Sequence, residues 1–368
     1  PETWAAGGMG GSETMAWELA RRLRRRGHRV RMYCECTPDQ ERSYEGVEWL
    51  HWTRFYQVNC DVLIASRVPW AVRDNLQSAY SSLGRCKYTA AVLWVHDVHV
   101  GAFAQEEESR FDRILCLSQW HRDFFCSGYK HLDRAKVHVT RNGIDLARFA
   151  GTEQRNPHRA IFSSSPDRGL LAALLAWPRV RAQVPDAELH IFYGWSNWEK
   201  ASVDNQNDQK RIEHMKGLIR ETPGVVMRGR VNQAELAREF MRAGVWLYPT
   251  WFCETSCITA MEAQAAGCPI LTCPIAALVE TVGEYGCALT EPWGTMTTPR
   301  PELVSQVAEQ TVNVLTSPIG KIMDMVVHAR EHFGLDTLAD EWNGWLLALE
   351  AERALEPVPR FRGGKAAE

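Results

Sequence analysis

Met15, Leu19 and Leu23 recur at four-residue spacing between Ser12 and Gly27, which traces one face of a helix. Ser12 is a favourable N-cap and Gly27 a favourable stop, so the pattern predicts a helix over 12–26. Short apolar runs then alternate with polar or helix-like stretches. The runs at 30–34, 62–65, 90–95, 114–117 and 137–140 read as strands, and Asn142-Gly143 reads as a turn. A second series begins near Ala160, with strands at 160–163, 188–193, 225–227, 245–248 and 269–272. Helices are predicted between them at 169–176, 212–220, 233–242 and 256–266. Strands alternating with helices imply mostly parallel sheets. Leu338, Trp342, Leu346 and Leu349 predict a closing helix over 337–352.

The polar stretch 148–157, with Gly151, Asn156 and Pro157, divides the two series. The expected organisation is an N-terminal Rossmann-like domain at 1–147, a second at 148–334, the closing helix at 335–355 and a disordered tail at 356–368. A glycine-rich loop ordinarily follows a strand, yet here it starts at Gly7. The first strand of the N-terminal domain is therefore expected to be truncated or missing. Ligands of doubly wound domains gather at the carboxyl ends of the strands, so two such edges facing each other would form a cleft for chemistry.

Hydrophobic residues make up 45% of the 368-residue chain and charged residues 24%, a soluble globular balance. A net charge of -3 gives no field that would draw it to nucleic acid. No apolar run reaches the length of a membrane span, and no secretory signal pattern is present. The 11 cysteines are scattered, and Cys34, Cys36, Cys253 and Cys257 lack partners at zinc-site spacing. Reduced thiols, no metal site and a cytoplasmic location are expected. Arg21, Arg22, Arg24, Arg25, Arg26, Arg29 and Arg31 form one basic cluster. It reads as a solvated helix face or as a peripheral contact with the inner face of a membrane.

The most specific stretch follows the strand ending Tyr248-Pro249-Thr250. Glu254 precedes a helix with Thr255 or Ser256 as its cap, and Glu262 lies about two turns further on. At helical rise the eight residues span roughly 12 Å, comparable to the reach from a donor hexose to a ribose across a diphosphate. The helix start offers free N–H groups to that diphosphate, and each carboxylate accepts two hydroxyl hydrogen bonds. Gly10 and Gly11 precede another helix start, where the backbone can approach an anion closely. Arg168 stands at a helix start after a strand, and His96 ends the strand at 90–95, with His99 as a lesser competitor. Tyr193 and Trp195 also end a strand.

The segment from Glu254 to Glu262 resembles the EX7E motif of glycosyltransferase family 4, which has the GT-B fold. The resemblance extends to Gly7–Glu13, Arg141–Asp145, Pro166–Gly169 and Arg228–Val231 in the same order. It implies an α/β fold of two facing Rossmann-like domains and a retaining glycosyltransferase. It also implies a nucleotide-diphosphate sugar (UDP-, GDP- or another) as donor and no required cofactor or metal. Glu254 would contact the donor sugar and Glu262 the ribose. Backbone amides at Thr255, Ser256, Cys257 and Ile258 would meet sugar and phosphate. Gly10 and Gly11 would meet a phosphate or the acceptor, His96 the sugar, and Arg168 the leaving diphosphate. The family's usual arginine five residues before Arg168 is replaced by Ser163, with Arg228 or Arg230 as candidate substitutes. The acceptor would be a glycan, a lipid-linked sugar or a small molecule. The alternatives on the same fold are a non-catalytic nucleotide-sugar-binding subunit and a sugar-nucleotide 2-epimerase.

Overall fold

A computed structural model describes residues 9–57, 59–72, 87–291, 293–295, 297–317 and 320–355. The expected missing first strand and the tail at 356–368 fall outside these residues. The described chain forms two compact units.

The first unit comprises Gly10–Asn142 and the final helix. Helix α1 (Gly11–Arg25) takes Gly10 as its N-cap, two residues before the predicted cap. Ser12 instead turns its hydroxyl to Glu13 at 3.0 Å. Gly27 ends the helix in the left-handed conformation, as its place in the sequence predicts. Strand β1 (Arg31–Cys34) lies parallel to β3 (Val47–His51), and β2 (Arg42–Tyr44) runs antiparallel to β3. Trp17 of α1 packs on Tyr44 and Trp49, with ring centroids 5.5 and 5.2 Å apart.

Four parallel strands follow: β4 (Asn59–Ser66), β5 (Lys87–Trp94), β6 (Arg113–Cys116) and β7 (Val137–Val139), in that spatial order. Residues 90–95 are wholly buried, as expected of a central strand covered on both faces. Helices α2 (Gln105–Arg110) and α3 (Gln119–Gly128) flank β6 in sequence, and Ser118 caps α3 by accepting from His121 N.

The final helix, Leu335–Ala354, buries the predicted stripe of Leu338, Trp342, Leu346 and Leu349. Trp342 lies 4.8 Å from Trp94 and donates its indole N–H to Thr140 at 3.0 Å. Arg141 grips Glu341 through two 2.6 Å hydrogen bonds. The basic cluster that begins on α1 is paired within this unit. Arg21 and Arg22 meet Glu18, Arg25 meets Glu45, Arg26 meets Asp340, and Arg29 and Arg31 meet Glu48. Arg24 donates to the Gly46 carbonyl. Of the cluster, Arg21, Arg22, Arg24 and Arg25 lie on α1, with Arg22 buried, while Arg26 is its C-cap and Arg29 and Arg31 lie beyond it. No described helix is long and apolar enough to cross a membrane.

The second unit, Gly143–Gly334, is built on six parallel strands. They are β8 (Asn156–Phe162), β9 (Glu188–Phe192), β10 (Val225–Gly229), β11 (Ala243–Tyr248), β12 (Ile270–Thr272) and β13 (Gly286–Ala288). Their spatial order is β10-β9-β8-β11-β12-β13. The chain therefore winds outward from β8 in one direction, then restarts at β11 and winds in the other. Helices α4 (Leu170–Gln183), α5 (Ser196–Ala201), α6 (Gln206–Glu221), α7 (Gln233–Arg242) and α8 (Ile258–Ala265) connect the strands. Every residue of β11 is buried. A Cβ at Gly244 would sit 2.0 Å from the Pro157 carbonyl oxygen, so a glycine there allows β11 to lie against β8. Such a reversal of strand order leaves a crevice at the carboxyl ends of the two strands between which it occurs, here β8 and β11.

Candidate functional site

Two loops meet at that crevice. After β8 the chain runs through Ser163–Ser165 into a short 3-10 turn, Pro166–Arg168. After β11 it runs from Pro249 to Cys257, the N-cap of α8. The loops touch backbone to backbone. Gly169 has φ +119°, and a Cβ there would lie 2.1 Å from the Pro249 carbonyl oxygen. The Trp251 indole N–H donates to the Asp167 carbonyl at 3.0 Å.

This contact brings together residues far apart in the chain. Arg168 Nη1 donates to Glu254 Oε1 at 3.3 Å, and its guanidinium lies over the Phe252 ring, 3.8 Å from the centroid. Burial works against the charge on Arg168, but the carboxylate of Glu254 and neighbouring acidic groups outweigh it and raise its pKa. The Arg168 Nε is buried and has no hydrogen-bond partner among the described residues. The same Glu254 oxygen accepts from the Tyr248 hydroxyl at 2.6 Å. Burial, followed by the adjacent Glu254, drives the Tyr248 pKa well above its ordinary value. The phenol is therefore a fixed donor that aims the carboxylate. Nothing in the sequence marks this role for Tyr248, which sits in an apolar strand run and reads as core.

Residues Thr255 and Ser256 lie between Glu254 and α8. The helix begins later than predicted, at Ile258, and its N-cap is Cys257 with no side-chain capping bond. Neither Thr255 nor Ser256 is the cap. The physical reason is that 254–257 form a loop held elsewhere, with Ala277 N donating to the Glu254 carbonyl at 3.1 Å. Only the second half of the eight-residue spacing is helical, so Glu262 lies just over one turn into α8 and not two. Cys257 Sγ contacts Thr259 Oγ1 at 3.2 Å, and burial raises the Cys257 pKa, so its thiol stays protonated.

Glu262 is 3% exposed. Burial lifts its pKa to about 7, with Arg148 pulling the other way. No described residue hydrogen-bonds its carboxyl group. A buried carboxyl without donors is costly. Ser163 follows β8, and its buried hydroxyl has no partner among the described residues. Arg228 lies within β10, whereas Arg230 follows it at the carboxyl end.

His96, Gly10 and Gly11 belong to the first unit. His96 follows β5, is buried, and tilts against Trp94 at 4.4 Å. Burial, then Arg67 and His121, lower its pKa to about 3, so the imidazole is neutral at physiological pH. Next to it, His121 accepts from Leu117 N at 3.1 Å and donates to the Asp97 carbonyl at 3.0 Å. Those two bonds fix its tautomer. His99 packs near Phe124 and Tyr129. At the start of α1, a Cβ on Gly10 would meet Glu13 Oε2 at 2.4 Å. Glu13 thus lays its own carboxylate against the positive end of α1.

Arg67, after β4, is a further charged residue that the sequence pattern does not reveal. Its φ is +69°, and it reaches Asp97 at 2.6 Å, Glu13 at 3.2 Å and Ser12 at 3.1 Å.

Comparison with known proteins agrees with this architecture. Residues 160–316 match the family model described as glycosyl transferases group 1. The match lies within the second unit and covers 157 of the 368 residues. Among solved structures, the chain is similar to sucrose-phosphate synthase from Thermosynechococcus elongatus, with TM-score 0.65 and 13% identity over 94% of this chain and 96% of that one. It is similar to Anabaena HepE in complex with UDP and glucose, with TM-score 0.62 and 14% identity over 92% and 96% of the two chains. Against a chain of the GtfA/B complex the TM-score is 0.52 at 13% identity over 76% of this chain, which spans only 55% of that one. No curated protein sequence matches. The fold is GT-B, with two Rossmann-like units.

Proposed function

We propose that this protein is a retaining glycosyltransferase that moves a sugar from a nucleotide-diphosphate sugar to an acceptor hydroxyl. The observation that carries the reading is the Arg168–Glu254 pair at the strand-order reversal of the second unit, 3.3 Å apart. It is followed by a helix start and a buried carboxyl, Glu262, without hydrogen-bond donors. A cation, a helix start and two carboxylate acceptors in that arrangement would suit sugar, diphosphate and ribose. The likeness to a fold seen with UDP and glucose bound supports the same donor class.

In this reading Arg168 exchanges Glu254 for the donor diphosphate, and Glu254, aimed by Tyr248, turns its acceptor capacity to the sugar hydroxyls. The first N–H groups of α8 face the diphosphate. Glu262 accepts from the ribose hydroxyls, which favours its ionised form. In the transfer, the bond from the anomeric carbon to the phosphate oxygen breaks. The acceptor oxygen forms its bond on the same face, and its proton passes to the departing phosphate oxygen. Stabilisation of that leaving group by Arg168 and positioning of the reactants supply the rate. Suppression of its charged form leaves His96, in the first unit, a neutral hydrogen-bonding group. For Gly10 and Gly11, the Glu13 carboxylate supports an acceptor role over a phosphate one.

The test is a thermal-shift panel of UDP, GDP, ADP and dTDP with their sugars, followed by calorimetry on Glu262→Ala. A ligand that binds the native state raises its melting temperature, so one nucleotide series is expected to stand out, and Glu262→Ala to weaken it at least tenfold. Unchanged affinity in Glu262→Ala would refute the ribose role. Transfer of label from donor to an acceptor separates a transferase from a binding subunit or an epimerase.

A further inference from the structure

Cys34 is the last residue of β1 and pairs with His51 of β3. Just beyond the strand, Cys36 N donates to the Cys34 carbonyl at 3.0 Å. An i→i+2 bond of this kind closes a γ-turn, which is common at strand ends. Fully extended backbone would set the two Cα atoms roughly 7 Å apart, at the far limit of about 6.8 Å for a disulfide. The turn draws them closer. Both cysteines are free and half-buried. Burial first, and then the neighbouring Cys36, raise the Cys34 pKa to about 11.

The buried thiols differ. Cys116 and Cys126 are a second neighbouring pair, but both are buried and burial raises both. Burial also raises Cys257, Cys268 and Cys273. The thiolate is the reactive form, so these groups are protected from exchange. A disulfide stabilises a fold mainly by closing a long loop, so a bond between Cys34 and Cys36 would add little stability. Its ring would be small and strained, and strained disulfides are readily reduced. The pair suits reversible exchange better than a structural staple.

We propose that Cys34 and Cys36 form a reversible thiol–disulfide site that reacts with a small-molecule disulfide of the glutathione class. The Cys36 thiolate attacks one sulfur of oxidised glutathione. A bond from Cys36 to glutathione forms, the glutathione S–S bond breaks, and one glutathione leaves as its thiolate and takes up a proton. Cys34 then gives up its proton and attacks Cys36 Sγ, and the second glutathione leaves. The two protein thiols have lost two electrons and two protons, and oxidised glutathione has gained them. Cys36 attacks first because Cys34 holds its proton well above the ordinary thiol range. This chemistry does not depend on the donor site.

Trypsin cuts after Arg31 and Arg42, so the peptide 32–42 carries both cysteines and no other. The experiment equilibrates the full chain at a series of ratios of oxidised to reduced glutathione, with and without denaturant. Each sample is quenched with acid, alkylated and mapped by mass spectrometry. In the native wild type, this peptide is expected to lose two hydrogens and to carry neither glutathione nor alkylating agent. Closure should occur at a ratio at least about tenfold lower than in the denatured chain, because the turn pre-sets the geometry. Cys34→Ser should trap glutathione on Cys36, whereas Cys36→Ser should leave Cys34 unmodified. A melting temperature checks that each variant is folded, and the wild-type result decides the matter even where a variant is not. A wild-type peptide that stays reduced, or that keeps glutathione without closing, overturns the proposal. Closure at the same ratio with and without denaturant also overturns it, by crediting sequence adjacency alone.

Discussion

The carboxyl edges of the two parallel sheets carry the same kinds of residue under different conditions. In the second unit, Arg168 and Glu254 have side chains 35% and 13% exposed, and Glu262 is 3% exposed. In the first unit, Arg67, Glu13 and Asp97 have side chains 42%, 51% and 46% exposed. An ion pair in water is screened and worth little. A pair whose carboxylate is mostly buried is screened less and costs more to leave unpaired. The second edge thus keeps its carboxylates the more shielded, and the first carries a solvated polar network beside a neutral histidine.

The largest effect is expected at Glu254. Glu254→Ala leaves the Tyr248 hydroxyl and Arg168 without their common partner. Transfer should fall at least about a hundredfold, as for loss of a preorganised polar group. Stability should drop by about 2 kcal/mol, below the full cost of breaking a buried pair because Arg168 is partly exposed. Denaturant melts and turnover measure both. Near-normal activity would break the contrast between the edges.

Gly169→Ala tests the loop contact that assembles the second site. With φ +119° and the Pro249 oxygen in the way, it should destabilise by about 2–3 kcal/mol. A variant as stable as the wild type would show that the loops are not clamped there.

Glu262 sharpens the comparison through pH. Its folded pKa, about 7, lies above the ordinary carboxyl value, so the native state keeps a proton that the unfolded chain loses. Its contribution to stability is therefore present at pH 4 and is lost as the pH rises to 7. Glu262→Gln should gain about 3 kcal/mol over the wild type between pH 4 and pH 8. Parallel stability curves would place the carboxyl in water. The smallest effect is expected at Arg67. Arg67→Ala should cost under about 1 kcal/mol, and less still in high salt.

Much of this was legible in the sequence, for identifiable reasons. Leu338, Trp342, Leu346 and Leu349 mark the last helix because one buried face repeats at helical spacing. Glu254, Glu262 and Arg168 stand out because strand, loop and helix signals frame them. The hairpin of β2 and β3 escapes notice, since Arg42-Ser43-Tyr44 carries little apolar signal and Glu45-Gly46 is not a usual turn pair. Tyr248 is masked by its apolar neighbours. Arg67 meets Glu13 across 54 residues, and a contact at that separation leaves no periodic trace. The late start of α8 reflects tertiary hydrogen bonding of the loop, which local capping preference does not encode.

The proposed donor site rests on Glu262, a protonatable carboxyl that nucleotide hydroxyls would complete. Calorimetry of nucleotide binding at pH 7, in buffers of different ionisation enthalpy, counts the protons exchanged. The wild type should release about half a proton per nucleotide bound, as a carboxyl titrating near 7 is driven to its ionised form. Glu262→Gln should release none. Binding without proton release in the wild type, or the same release in both proteins, would contradict the account.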